Sequence, residues 1–250
     1  MKGIIVYKPG SEKIANKAFT FLESIGIPVD IADKCSKCEK YDFIVTVGGD
    51  GTILRTLQQI RDCPPIFGIN TGKVGLLTHA TPENFKDKLS IALEKMEIEE
   101  FMRIECENLI ALNEIALLTA MPARLVEFSV FVDGVEIDRL RSDGLLISTP
   151  IGSTAYALST GGPIIDPKME CTLIVPVAPF KLGWKPWIVG KQRKVEVEVV
   201  GRHCLAIADG HTTLQIEPKT TLLFRKSKYP ARFFKVENRI ARIINMLRNI

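Results

Sequence analysis

No apolar run in this 250-residue chain approaches the about 18 residues that a membrane-spanning helix needs. The opening Met1-Lys2-Gly3-Ile4-Ile5-Val6-Tyr7-Lys8 is too short for a signal peptide and reads as a first strand. The expectation is a cytoplasmic protein with no membrane partner. A net charge of +4 suits anionic ligands but is too small to argue for a nucleic-acid partner. Of the six cysteines, Cys63, Cys106, Cys171 and Cys204 are scattered. Cys35-Ser36-Lys37-Cys38 has metal-like or redox-like spacing but lacks the second pair of a zinc site, so no metal site is expected. An intracellular disulfide there would suit a hyperthermophile. Two familiar phosphate motifs are also missing. A dinucleotide fingerprint starting at Gly49 and Gly51 meets Leu54 where its third glycine belongs, and Gly68 to Val74 has the wrong spacing for a P-loop.

What is present is the composition of a soluble globular protein, 46% hydrophobic and 25% charged, with room for one large domain or two ordinary ones. The chain is organised around Thr46-Val47-Gly48-Gly49-Asp50-Gly51-Thr52. Tyr41 to Val47 is a β-branched and aromatic run of the kind that forms a buried strand, and Ile53, Leu54, Leu57 and Ile60 recur at helical spacing. A strand therefore feeds a helix through a glycine turn. The glycines permit positive φ and leave no Cβ to hold a ligand away, and a helix N-terminus offers N–H groups to a phosphate. A carboxylate would repel that phosphate, so Asp50 has some other role, as a helix cap, a metal partner, or the base for a hydroxyl.

Residues 1–98 alternate strand and helix. Strands are expected at Gly3 to Tyr7, Ile27 to Ile31, Tyr41 to Val47 and Pro64 to Asn70, with helices at Ser11 to Ile25 and Glu83 to Met96. Strands separated by helices make a parallel sheet whose ligands bind beyond the carboxyl ends of the strands, where Gly48 to Thr52 and Asn70 to Gly75 both fall. Over 99–225 the period changes to two. Val126, Phe128, Val130 and Val132 alternate with other residues, Asp133-Gly134 and Asp209-Gly210 are turns, and further strands are expected at Gly144 to Thr149, Cys171 to Val177, Val195 to Val200, Cys204 to Ala208 and Leu214 to Phe224. The fold class is thus α/β plus all-β, the second part an antiparallel, sandwich-like domain. Residues 226–250 form a tail and a helix with Val236, Ile240, Ile243, Ile244 and Leu247 on one face and Arg239 and Arg242 off it, returning to pack on the first domain.

A second chemical cluster runs from Arg141 to Pro163, rich in Gly, Ser and Thr. Its small residues would let a flat ring approach the backbone, Ser153, Thr154 and Ser159 supply hydroxyls, and Tyr156 a stacking face; a long surface loop has the same composition. Asn113-Glu114 ends the apolar run Leu109 to Leu112, either exposed or aimed into a cleft.

Together these residues resemble the NAD kinases. The likeness rests on Gly48-Gly49-Asp50-Gly51-Thr52 with Leu54-Arg55, on Asn70-Thr71-Gly72-Lys73-Val74-Gly75-Leu76-Leu77-Thr78, on Asn113-Glu114, and on Ser142-Asp143-Gly144 running into Ser148-Thr149-Pro150-Ile151-Gly152-Ser153-Thr154-Ala155-Tyr156. The glycine motif is shared with lipid and sugar kinases; the long hydroxyl-rich motif is far more specific. Ile151 stands where the family usually has threonine.

The resemblance implies transfer of a phosphoryl group from ATP or polyphosphate to the 2′-hydroxyl on the adenosine ribose of NAD, helped by a divalent metal ion, Mg²⁺, in a homodimer or homotetramer. It implies that Asp50 is the base for that hydroxyl, with Gly48, Gly49, Gly51 and Thr52 as the phosphate loop. Asn113 and Glu114 would hold the adenosine side of NAD, and Thr154, Ala155, Tyr156, Ala157, Leu158 and Ser159 would surround its adenine. Asp143 and Ala178 would meet the nicotinamide end, and Arg55, Arg124 and Arg141 the phosphates. Two alternatives stay open here: a lipid or sugar kinase with the same glycine motif, and an NAD(P) sensor without turnover.

Overall fold

The computed structural model describes residues 1–35, 37–72, 75–235 and 239–248. The chain begins β1 (Gly3–Tyr7), α1 (Glu12–Ser24), β2 (Val29–Ala32), β3 (Phe43–Gly48), α2 (Asp50–Leu57), β4 (Ile66–Asn70), α3 (Phe85–Lys95) and β5 (Ile98–Phe101). It continues β6 (Ile104–Cys106), β7 (Leu109–Ala111), β8 (Glu114–Thr119), β9 (Val126–Val132), β10 (Val135–Ser142) and β11 (Gly144–Ser148). After α4 (Tyr156–Ser159) come β12 (Cys171–Val177), β13 (Trp187–Gly190), β14 (Val195–Val200), β15 (Cys204–Ala208), β16 (Thr212–Ile216) and β17 (Thr220–Lys226). The chain closes with β18 (Ala231–Phe234) and α5 (Arg239–Arg248). It divides into two compact units, Met1–Glu100 with Tyr229–Ile250, and Phe101–Lys228.

In the first unit the sheet order is β2-β1-β3-β4-β18-β5, and β2, β1, β3, β4 and β18 pair in parallel. Every residue of β3 is buried, as expected of a strand covered on both faces. One face packs Ile5, Val45, Val47, Phe67 and Ile69 against Ala15, Ala18 and Leu22 of α1 and Phe85, Leu89 and Leu93 of α3. The α/β reading and the returning C-terminal helix are both borne out. The face by which α5 docks is not the expected one: Ile243 is buried, but Ile240 and Ile244 are 54% and 42% exposed, and Arg239 and Arg242 face the unit instead. Val236 and the Leu247 side chain, the remaining apolar positions, lie outside what is described, as do Ser36, Lys73 and Val74.

The second unit holds two antiparallel six-stranded sheets, ordered β10-β9-β14-β17-β6-β7 and β13-β12-β11-β8-β15-β16. Their inner faces share one core, in which Val126, Phe128, Val195 and Val197 of one sheet join Ile115, Leu117, Ile147 and Ala206 of the other, making the expected sandwich. Val195, Val197 and Val199 are buried in alternation with half-buried Glu196 and Glu198. Asp133 and Gly134, at φ 51° and 79°, form the β9–β10 turn as their type requires. The stretch Leu214 to Phe224 is two strands, β16 and β17, because Lys219 takes φ 65° and breaks the run.

Candidate active site

In the first unit β3 delivers the glycine turn to the N-terminus of α2. Of these glycines Gly48 takes positive φ, at 159°, while Gly49 is at −93° and Gly51 lies inside α2. Space is what each position requires. A Cβ on Gly48 would fall 2.1 Å from Thr52 Oγ1, so that glycine is a packing residue, whereas a Cβ on Gly49 or Gly51 would meet nothing within 4 Å. The open side of the turn is therefore at Gly49 and Gly51, flanking Asp50.

Asp50 is the first residue of α2 and not its cap, which is Gly49. Its carboxylate accepts hydrogen bonds from Leu76 N–H at 2.8 Å and Leu77 N–H at 3.1 Å, and Thr78 N–H also faces it. Burial raises its pKa above the ordinary carboxylate value, against the lowering pull of those three N–H groups and the Arg239 charge. The Asn70–Thr78 stretch is folded against the turn: Thr71 N–H donates to Gly48 O at 3.1 Å, and Asn70 Oδ1 accepts Gly72 N–H at 2.9 Å. Gly75 is compulsory, since a Cβ there would lie 2.2 Å from Thr78 Oγ1. Arg55, in the last turn of α2, donates from Nη2 to Tyr7 O at 3.0 Å and Asp33 O at 3.1 Å.

In the second unit the organising residue is Asp209, which in the sequence reads only as part of a turn. Its Oδ2 accepts Leu112 N–H at 2.8 Å, and its Oδ1 accepts Asn113 N–H at 2.7 Å and Glu114 N–H at 3.3 Å. From the other side Thr149 N–H donates to Asn113 O at 2.8 Å and Ser148 Oγ to the same oxygen at 3.0 Å. A Cβ on Gly152 would lie 2.1 Å from Asn113 O, so only glycine lets the two segments approach. Asn113 and Glu114 are thus set on the Ser148–Gly152 segment. Glu114 is buried, and its Oε2 has no hydrogen-bond partner among the described residues. Burial and, after it, the Asp209 charge push its pKa up to about 8. A buried polar atom without a partner is costly unless a ligand supplies one.

The hydroxyl-rich stretch is not a surface loop. A 3₁₀ turn at Ile151–Thr154 leads into α4, with Ile151, Gly152, Ser153 and Ala157 buried. Ser153, expected to offer a hydroxyl to a ligand, is enclosed: it donates to Pro150 O at 2.6 Å and accepts Ile165 N–H at 3.0 Å. Ala157 belongs to a small core with Leu146, Leu173 and Val175. Thr154, Ala155 and Leu158 are half-buried and Tyr156 and Ser159 exposed, so these can meet a ligand. Asp143 N–H donates to Val177 O at 3.0 Å, next to Ala178, which is exposed and held at φ 46°. Strained backbone of this kind gathers at ligand sites. Arg124 lies exposed beyond a tight turn, and Arg141 is exposed on β10 with its guanidinium 5.9 Å from the Phe180 ring.

Among the described residues no three His, Cys, Asp or Glu side chains gather as a metal site. Cys35 and Cys38 are joined in a disulfide, while Cys63, Cys106, Cys171 and Cys204 are buried free thiols. Burial pushes Cys106 and Cys204 up to about 12, far from nucleophilic.

Comparison with known proteins places this geometry. Residues 6–97 match the ATP-NAD kinase N-terminal domain and residues 112–236 the ATP-NAD kinase C-terminal domain. The chain is 46% identical to the NAD kinase of Archaeoglobus fulgidus over 255 residues, covering all of both chains. It is 36% identical to that of Methanothermobacter thermautotrophicus, over 90% of this chain and 87% of the relative. The crystal structure of an NAD kinase from Archaeoglobus fulgidus in complex with ATP superposes with a TM-score of 0.93 over the whole of both chains at 45% identity. Yeast NADH kinase complexed with NADH shares the fold, with a TM-score of 0.88, 21% identity and coverage of all of this chain and 88% of that one.

Proposed function

This chain belongs to the NAD kinase family, and from that premise we propose how its residues divide the transfer of a phosphoryl group from ATP to the 2′-hydroxyl on the adenosine ribose of NAD. The observation that carries the reading is the open space at Gly49 and Gly51 on either side of the half-buried Asp50 carboxylate. Backbone N–H groups there receive phosphate while the carboxylate receives a proton. The 2′-oxygen bonds to the γ-phosphorus, its proton passes to Asp50, and the bond from the γ-phosphorus to the β–γ bridging oxygen breaks to release ADP. A positioned base of this kind typically contributes a factor of about 10² to 10⁴. Mg²⁺ would enter as part of the MgATP substrate and would offset the charge that develops on the transferring phosphoryl group.

Asn113 and Glu114 hold the ribose of NAD, the Glu114 Oε2 taking a hydroxyl proton donor as its missing partner. Thr154, Ala155, Tyr156, Leu158 and Ser159 line the adenine, and Ala157, with its side chain in the core, contributes backbone only. Asp143 and Ala178 meet the nicotinamide end. Arg55, Arg124 and Arg141 serve the phosphates; Arg55 does so with donors other than the Nη2 engaged by Tyr7 and Asp33. The reading extends to a cytoplasmic enzyme, assembled as a homodimer or homotetramer, that uses ATP or polyphosphate and needs neither nucleic acid nor membrane. No helix among the described residues is long and apolar enough to cross one.

The test is NADP formation by the purified protein from NAD and Mg²⁺ with ATP or polyphosphate, read by an NADP-specific dehydrogenase. Turnover with either donor is expected. No NADP with any donor, despite measurable NAD binding, would overturn the reading.

A further inference from the structure

We infer that Arg239 and Arg242 of α5 are positioning residues for phosphoryl transfer, fixing the Leu76–His79 segment whose N–H groups hold the Asp50 carboxylate in place. The inference rests on the reading of Asp50 as the base. Asp50 takes N–H groups from Leu76, Leu77 and Thr78. A segment that points successive N–H groups at one carboxylate sends its carbonyls elsewhere, and those carbonyls need donors. The guanidinium of Arg239 supplies Leu76 O at 2.8 Å through Nη1. Arg242 supplies Thr78 O through Nη1 and His79 O at 3.2 Å through Nη2, with Lys88 Nζ also 3.2 Å from His79 O. Leu76 is therefore held from both sides, its N–H by the reacting carboxylate and its carbonyl by a helix 163 residues further along the chain.

Arg239 is itself fixed. Its Nη2 is ion-paired with Glu99 of β5, its side chain is only 9% exposed, and its guanidinium lies 5.9 Å from the Phe233 ring. A rigid planar fork that bridges Glu99 and Leu76 O transmits the position of the β-sheet to the Asp50 segment, which a lysine's single ammonium does not reproduce. Errors of about 1 Å in the placing of a catalytic group can cost about 10²-fold in rate. The charged groups facing Asp50 are Arg239 and Arg242, with Glu99 behind them; His79 is buried, its Nδ1 accepting Gly68 N–H at 2.9 Å, and burial pushes its pKa down to about 3, so it stays neutral.

The test measures kcat, the KM for NAD and for MgATP, and the pH dependence of kcat in Arg239→Ala, Arg239→Lys and Arg242→Lys, beside Asp50→Asn and an Ile240→Ser control on the exposed side of the same helix. Arg239→Ala and Arg239→Lys should lower kcat at least about tenfold with smaller changes in either KM. The acidic limb of the kcat profile should move to higher pH in Arg239→Ala, because Asp50 loses a neighbouring positive charge, while Ile240→Ser behaves as wild type. If Arg239→Ala does not fold, Arg239→Lys and Arg242→Lys carry the test. Folded variants with wild-type kcat and an unmoved acidic limb, alongside an inactive Asp50→Asn, overturn the positioning role and leave the base intact. An active Asp50→Asn removes the base and the inference together.

Discussion

Asp209 holds Glu114 in two opposed ways: its Oδ1 accepts the Glu114 N–H at 3.3 Å, and its charge adds to the burial that keeps the Glu114 side chain protonated. With a pKa of about 8, Glu114 is mostly a neutral carboxylic acid at pH 7 in the empty protein. A ribose hydroxyl donating to it favours the carboxylate, so NAD affinity should rise with pH between about 7 and 9. Titration of NAD binding across that range checks this. Glu114→Gln should bind more weakly and lose the pH dependence; a wild-type affinity that is flat with pH would sink the assignment.

The same shift makes a stability prediction. In the unfolded chain Glu114 ionises near 4.5, but in the folded protein only near 8, so the folded state binds more protons over that interval. Stability should therefore fall as pH rises from 4.5 towards 8, then level off, by on the order of 5 kcal/mol at most. Denaturant unfolding of wild type and Glu114→Gln at pH 5 and pH 8.5 checks the sign: the variant should gain on the wild type at the higher pH.

Asp50→Asn should lower kcat by about 10² or more while NAD still binds. It should also lower the melting temperature, because the carboxylate accepts from Leu76 and Leu77 on two oxygens, and an amide turns an N–H donor towards one of those N–H groups. Removing a single acceptor from a buried donor costs about 1–3 kcal/mol. Unchanged turnover would refute the base; unchanged melting would refute the clamp.

Much of the fold is legible in the chain, and what is not has a common cause. Gly-Ile-Ile-Val-Tyr of β1 and Phe-Ile-Val-Thr-Val-Gly of β3 show a parallel sheet because strands covered on both faces are apolar throughout. β18 gives no such signal: four residues near the C-terminus join β4, and nothing local announces that partner. β8 is hidden because Asn113-Glu114 looks like the end of an apolar run, when Glu114 in fact begins the next strand. The glycine turn and the Asn113-Glu114 pair are readable from residue type and spacing. Asp209 is not, since Asp-Gly already accounts for itself as a turn, and the N–H groups it serves lie 95 to 97 residues away. The α5 arginines are visible, but amphipathic periodicity favours the isoleucines as the docking face.

The glycines separate into two kinds by what surrounds them, and alanine substitution should expose the difference. Gly152→Ala forces a Cβ to within 2.1 Å of Asn113 O, backbone that Asp209 already fixes, so it should destabilise by about 1–3 kcal/mol and weaken NAD binding. Gly49→Ala meets no atom within 4 Å and sits at an ordinary φ of −93°, so folding should be unaffected while turnover falls. Melting temperature and kcat/KM measured on both variants check the pair, and a Gly49→Ala enzyme with wild-type kcat/KM would mean that substrates do not approach the turn there.

Truncation after Lys235 removes α5, and the size of its effect depends on which face of the helix binds. If the isoleucines carried the docking, the loss would be hydrophobic, but Ile240 and Ile244 remain 54% and 42% exposed and contribute little. Besides the burial of Ile243, the bonds removed are those of Arg239 to Leu76 O and Glu99 and of Arg242 to Thr78 O and His79 O, and hydrogen bonds to charged groups are each worth about 1.5–3 kcal/mol. Some of that returns when water reaches the freed carbonyls, leaving a net loss of a few kcal/mol and a clear drop in melting temperature. Ile240→Ser with Ile244→Ser should by contrast change stability by no more than about 0.5 kcal/mol. If the serine variant melts as low as the truncation, the helix is held by its apolar face, and the arginine bonds are incidental to its docking.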